Sequence, residues 1–346
     1  MTKKRLLLIA TGGTIASVQT EEGLTPQIPA QDLLSYVPKV RDFAEVTPLQ
    51  LINLDSTNIE TKHWLKIAAC LEENYEDYDG FVICHGTDTM AYTAAALSYL
   101  VQNSPKPIVL TGSQQPINLD STDARTNLYD SLLFAAHPKA HNVNLVFDGK
   151  VICGTRAQKE RTKSYDAFAS INFPFIASIQ KPHILFYIED KDRVDKEVVF
   201  HQGFLEEVGV LKLLPSMKAR SLVRLAQDYQ AVIIESFGVG GLPSYETGDF
   251  RQAVAEIIRQ GKVVVMTTQV PLEGSNMTVY EVGKVAKETW GLMEAYDMTL
   301  PATACKLMWI LAKTRDPKEV RRLFEEEINH DRLWPAHEDR VPESRA

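Results

Sequence analysis

The chain is short of several things, and each shortage narrows what it can be. Its 346 residues hold four cysteines, Cys70, Cys84, Cys153 and Cys305, with neither a CxxC pair nor metal-ligand spacing among them. That argues against a disulfide-stapled scaffold and a cysteine-built metal site, and it reads as reduced thiols in a cytoplasmic protein. No apolar run reaches transmembrane length. Lys3-Lys4-Arg5 followed by Leu-Leu-Leu-Ile-Ala has the outline of a signal peptide. Its apolar run is five residues, however, and glycines interrupt it before any cleavage site. Positive charge is in deficit: 37 Lys and Arg against 45 Asp and Glu leave −8 at pH 7. Nucleic acid is therefore not the expected partner, because phosphate binding needs a basic face. There is no Walker Lys-Ser/Thr and no G-x-S-x-G elbow. Gly238-x-Gly240-Gly241 has Pro243 where a dinucleotide loop needs its third glycine.

What is present is a globular composition, 45% hydrophobic and 24% charged, without low-complexity tracts. The length exceeds one ordinary core, so two domains are expected. Residues 6–10 form a short apolar strand that runs straight into Thr11-Gly12-Gly13-Thr14. Further strands are predicted over 48–54, 81–84, 108–110 and 144–147, with helices over 62–71, 90–101 and 123–136. That alternation implies an α/β fold with a doubly wound, mostly parallel sheet. Residues 17–29 read as a long, lid-like loop. The pattern loosens from 181 to 215, and a mixed-charge turn is expected over 191–196. A second alternating unit then follows, with strands over 231–234 and 263–266, a helix over 250–260 and closing helices over 299–313 and 317–328. The expected division is a larger N-terminal domain over 1–190, a linker over 191–219 and a smaller C-terminal α/β domain over 220–346.

Three of the strand ends carry Gly-Thr or Gly-Ser, and parallel strands place such ends on one edge, where open α/β sheets bind ligands. That edge collects Thr14, Asp55-Ser56, Thr87-Asp88 and Ser113. Hydroxyls and carboxylates dominate. His85 is the only imidazole nearby, and its place before the turn glycine suits packing or hydrogen bonding better than base catalysis. Nothing at ligand spacing supports a metal site. A threonine nucleophile without histidine needs another route for its proton, either a neutral lysine or a water relayed to a carboxylate. Lysine candidates lie in the basic run Arg156-Ala157-Gln158-Lys159-Glu160-Arg161-Thr162-Lys163.

Thr11-Gly12-Gly13-Thr14-Ile15-Ala16 and His85-Gly86-Thr87-Asp88-Thr89-Met90 resemble the two signature motifs of bacterial-type L-asparaginases, nearest the cytoplasmic type I branch. Asp55-Ser56, Thr111-Gly112-Ser113-Gln114, Asp166-Ala167-Phe168-Ala169-Ser170 and Asp297-Met298-Thr299 match as well. The resemblance implies hydrolysis of L-asparagine to L-aspartate and ammonia, with L-glutamine at most a weak substrate and no cofactor or metal. It implies a homodimer or homotetramer with neither nucleic-acid nor membrane partners. Thr14 would be the nucleophile that forms a β-acyl-enzyme, and Thr87, Asp88 and a lysine the second catalytic group. Asp55, Ser56, Thr57, Asp88 and Ser113 would hold the substrate. Relatives place the lysine nine residues before the phenylalanine of the Asp-Ala-Phe-Ala-Ser block. That offset selects Lys159 over Lys163, although Thr162-Lys163 matches the family's Thr-Lys pair.

Two departures matter. Where many relatives carry a loop tyrosine this chain has Leu24, so Tyr280 is the candidate substitute. Some type I relatives bind a second asparagine through an arginine and a cysteine, and here Glu235 and Val270 stand in those places. An effector site is therefore not expected. An ammonia-supplying amidotransferase module and a non-catalytic amino-acid sensor are the alternative readings. The first carries an additional N-terminal domain, for which Thr14 lies too near Met1. The second conflicts with the intact Thr14, Thr87 and Asp88.

Overall fold

The computed structural model describes residues 3–21, 23–189, 196–245, 248–279 and 284–333. In chain order its strands are β1 (Lys4–Gly12), β2 (Ser17–Thr20), β3 (Gly23–Pro26), β4 (Ala44–Leu54), β5 (Gly80–Cys84), β6 (Val101–Gln102), β7 (Ile108–Thr111), β8 (Val143–Phe147) and β9 (Lys150–Cys153). There follow β10 (Ala157–Lys159), β11 (Phe168–Ser170), β12 (Ala177–Gln180), β13 (His183–Phe186), β14 (Val199–Phe200), β15 (Val208–Lys212), β16 (Ala231–Ser236) and, past the short antiparallel pair Ser244–Tyr245 and Gly248–Asp249, β17 (Val263–Thr268) and β18 (Met293–Glu294). The helices are α1 (Ala30–Leu33), α2 (Thr61–Glu73), α3 (Met90–Leu100), α4 (Ala124–Ala135), α5 (Arg220–Asp228), α6 (Phe250–Arg259), α7 (Leu300–Leu311) and α8 (Pro317–Glu325).

β1 lies between β4 and β5, parallel to both. The large sheet runs in the order β13-β12-β9-β8-β7-β5-β1-β4. It is parallel from β8 to β4 and antiparallel where β9, β12 and β13 are added. Successive side chains of a strand face opposite ways. Leu7 and Ile9 accordingly enter a core with α2 and α3, whereas Leu6 and Leu8 enter one with α1 and α4. Each such Leu or Ile is fully or almost fully buried and contributes about 1.5–3 kcal/mol relative to exposure. The sheet is thus covered on both faces, as the uninterrupted apolar strands require.

The smaller sheet, β15-β16-β17-β18, is parallel throughout. α7 belongs to the core shared by its Ile233 and Val265 and by Tyr99 and Leu100 of α3. Ten of the eleven residues of α3 are buried, because sheet and α7 enclose it. The two units therefore share one core.

Two readings need correction. Residues 17–29 are not a featureless loop: β2 and β3 form a hairpin, closed where Thr20 Oγ1 donates to the Gly23 carbonyl at 2.7 Å. Its mixed small and polar side chains hide the strand alternation. The stretch 191–219 is more than a linker. β14 pairs with β6, and β15 opens the smaller sheet. Gly209 interrupts the apolar run of β15 because the Tyr229 ring occupies the space of a Cβ there, 2.7 Å away. The large sheet is mostly parallel as expected, with only the short strands β9, β12 and β13 returning antiparallel at one side. The turn expected over 191–196 falls, up to 195, outside the described residues.

Candidate active site

Four strand ends meet through close backbone approaches. A Cβ on Gly13 would lie 2.4 Å from the Cα of Gly86, and a Cβ on Gly86 would lie 2.6 Å from Ser56 Oγ. A Cβ on Gly112 would lie 2.2 Å from the His85 carbonyl oxygen. Only glycine permits such contacts. They draw the turns after β1, β4, β5 and β7 onto one edge, so Thr14 and Thr87, each following a touching glycine, start from adjoining points.

Thr14 is half-buried and opens a single 3-10 turn after Gly13, whose φ of 80° and ψ of 178° suit glycine. Asp55 is exposed and caps the next turn. Its Oδ1 accepts from the backbone N and the Oγ1 of Thr57, each at 2.9 Å. Ser56 is buried, and its carbonyl accepts from Thr89 Oγ1 at 2.8 Å. Thr87 and Asp88 precede α3, whose N-terminal end favours negative charge.

Lys159 reaches this edge from β10. Its Nζ donates to Thr87 Oγ1 at 2.8 Å and to Asp88 Oδ1 at 2.6 Å. The lysine side chain is 16% exposed and that of Asp88 57%, so the pair sits at a mouth and not in the core. Lys163 lies on an exposed loop. Thr87 in turn donates to Gln114 Oε1 at 3.2 Å, and Gln114 Nε2 donates to the carbonyls of Ser164 and Arg161 at 3.1 and 3.4 Å. Gln114 was not among the residues expected from sequence. Its presence in Thr111-Gly112-Ser113-Gln114 was the only available signal, because its partners lie 27 to 50 residues away.

Ser113 is buried and donates to the Gln115 carbonyl at 2.5 Å, which closes its hydroxyl onto its own turn. The Asp123 carboxylate accepts from the backbone N of Gln114 and Gln115 and fixes that turn. Burial pushes the Asp123 carboxyl up, although these hydrogen bonds pull it back down. His85 is fully buried, its Nδ1 on the Gly86 carbonyl at 2.7 Å and its Nε2 on Thr93 Oγ1 at 2.9 Å. Burial lowers its pKa to about 4, so it holds the turn as a neutral ring. Tyr280 falls outside the described residues. Among the described residues no His, Cys, Asp or Glu cluster could hold a metal ion, and no helix is long and apolar enough to cross a membrane.

The family profile "Asparaginase, N-terminal" matches residues 5–191, and "Glutaminase/Asparaginase C-terminal domain" matches residues 207–324. The chain is 39% identical over 326 residues to the L-asparaginase of Thermococcus kodakarensis, covering 94% of this chain and 98% of that one. The solved structure of the thermostable L-asparaginase from that organism superposes with a TM-score of 0.89 at 38% identity, covering 94% of this chain and 98% of that one. L-asparaginase 1 of Escherichia coli K12 is 34% identical over 95% of this chain and 98% of its own length. A glutamyl-tRNA(Gln) amidotransferase component of T. kodakarensis is 36% identical over 92% of this chain and 74% of its own. The solved structure of a probable cytoplasmic L-asparaginase from Campylobacter jejuni matches with a TM-score of 0.79 at 25% identity, over 94% of this chain and 100% of that one.

Proposed function

The chain belongs to the asparaginase family, and from that premise we propose that it hydrolyses L-asparagine to L-aspartate and ammonia through an acyl-enzyme on Thr14. The observation that carries the reading is Lys159 Nζ within hydrogen-bond reach of both Thr87 Oγ1 and Asp88 Oδ1, at the edge that Thr14 shares. A hydroxyl, an amine and a carboxylate in line can relay a proton without histidine.

In the first step Thr14 Oγ1 forms a bond to the side-chain amide carbon of asparagine. The C–N bond breaks, and the proton lost by Thr14 leaves with ammonia. In the second step water adds to the ester carbon, the bond from that carbon to Thr14 Oγ1 breaks to release L-aspartate, and a proton of the water passes through the Thr87–Lys159–Asp88 group to Thr14. Asp55 and Asp88 are anionic acceptors for the substrate ammonium. Ser56, Thr57 and Ser113 are grouped with them as substrate-binding residues, and the N-terminal end of α3 favours the carboxylate. Backbone N–H groups of the glycine turns suit a developing oxyanion, for which each donor is worth about 2.7–4 kcal/mol. Tyr280 is assigned to the substrate side by family resemblance alone. Glutamine is a weak substrate at most, the protein works in the cytoplasm, and it assembles as a homodimer or homotetramer.

The similarity to an amidotransferase component supports a second reading, in which ammonia is made for a partner. Ammonia release by the purified chain alone separates the two. Turnover of asparagine without a partner is expected. Activity that requires a partner protein and prefers glutamine would overturn the proposal.

A further inference from the structure

Lys159 owes its place to a strand of three residues. β10 pairs with β11 in a two-stranded ladder outside both main sheets, and a ribbon that short fixes its side chains poorly by itself. The residues just before it are tied to the C-terminal unit. Arg156 is completely buried. Its Nη2 donates to Asp297 Oδ2 at 2.9 Å, its Nη1 to the Asp297 carbonyl at 2.8 Å, and its Nε to the His330 carbonyl. Thr299 Oγ1 donates to the Thr155 carbonyl at 2.8 Å, and Thr155 Oγ1 to the Asn329 carbonyl at 2.6 Å. The Asp297 carboxylate also accepts from the backbone N of Leu333. On the β11 side, Asn172 Nδ2 donates to the Asp297 carbonyl at 3.1 Å, and the backbone N of Ile171 to the Arg156 carbonyl at 2.9 Å.

A buried ion pair is a poor stabiliser, because desolvation offsets most of the attraction. What a guanidinium held by these carbonyls and a carboxylate supplies is geometry. We propose that Arg156 and Asp297 are positioning residues through which the C-terminal unit sets where β10 holds Lys159 against Thr87 and Asp88. The inference rests on the reading of Lys159 as the catalytic lysine. Loosening the clamp displaces Nζ, and a displacement of about 1 Å can cost about 100-fold in rate. Asp55 and Ser56 lie on another turn, and Asp88 is carried by the turn before α3 and not by β10, so the substrate contacts stay in place and the loss falls on kcat with little change in KM.

Two variants test this. Asp297→Asn keeps the shape and an acceptor for Arg156 but removes the charge. Asn172→Ala leaves the ion pair intact and removes the bonds of a half-buried side chain to the Asp297 carbonyl and to Glu273 N. Ammonia release from asparagine is measured well below each melting temperature. Asp297→Asn should lose about 10- to 100-fold in kcat and Asn172→Ala about threefold, with KM within about twofold of wild type in both. Where Asp297→Asn does not fold, Asn172→Ala decides. Unchanged kcat in the folded variants, with only the melting temperature lowered, overturns the proposal. Lys159→Met, run alongside, separates two failures. Wild-type turnover there overturns the reading of Lys159 and this inference with it. An inactive Lys159→Met beside fully active clamp variants overturns the clamp alone.

Discussion

The Cα of Gly86 stands 2.4 Å from where a Cβ on Gly13 would be, so the two turns that carry Thr14 and Thr87 touch backbone to backbone. Gly13 also holds a φ of 80°. Gly13→Ala therefore meets left-handed strain of about 1–3 kcal/mol and an overlap that neither backbone can relieve by rotamer change. It should lower the melting temperature and cut turnover by about 100-fold or more, since it parts the turns. Thermal unfolding together with steady-state kinetics checks both. A variant with wild-type kcat would show that the contact does not set the site.

The two lysines of the basic run should behave oppositely. Lys159→Met removes the bridge between Thr87 and Asp88 and is expected to lower kcat by about 1,000-fold or more, in the manner of groups that act as a unit. Lys163→Met removes an exposed charge and should stay within about 0.5 kcal/mol of wild type in stability, with kcat unchanged. Steady-state kinetics on both proteins gives the ranking, and the reverse order would reassign the catalytic lysine.

Much of this was legible in the sequence because burial and turn chemistry leave plain marks. The stretch around Leu8 and the stretch around Val82 are apolar throughout because both faces of the sheet are covered, and glycines mark the points where turns touch. Lys159 is different: its choice over Lys163 came from family offset and not from any local pattern. Gln114 was missed because its contribution lies in side-chain contacts to distant loops. The β2–β3 hairpin and the strand β15 were missed for a related reason. Their residues are small, polar or interrupted by glycine, and what makes them strands is the partner opposite.

Acid should destabilise the protein through His85. The unfolded histidine takes up a proton near pH 6.5, whereas the buried ring does so only near 4. Its contribution is therefore complete above about pH 6.5 and is lost as pH falls toward 4. Burial lowers His201 to about 4 as well, with the same sign. Asp130 acts in the opposite direction, since burial raises its carboxyl to about 6 and protonation of the native form is favoured below that. His85→Gln cannot titrate, and its melting temperature should fall less steeply than that of wild type between pH 6.5 and 4. Equal slopes would remove His85 from the account.

Glu235 and Val270 line one cavity of about 150 Å³ together with Lys212 and Gln269. Burial pushes the Glu235 carboxyl up, and nearby Lys212 pulls it back. A carboxylate in that wall opposes the carboxylate of a second asparagine, which leaves little coupling energy for cooperativity. The rate should rise hyperbolically with asparagine. A Hill coefficient clearly above one would contradict this.

Thr14→Ala isolates the role proposed for Thr14 as the residue that forms the acyl-enzyme. The substitution removes a half-buried hydroxyl and methyl from a turn, so the melting temperature should stay close to that of wild type. Asparagine should still bind, as read by calorimetric titration, while ammonia release falls by about 10,000-fold or more. A folded Thr14→Ala protein that releases ammonia from asparagine at the wild-type rate would contradict the account.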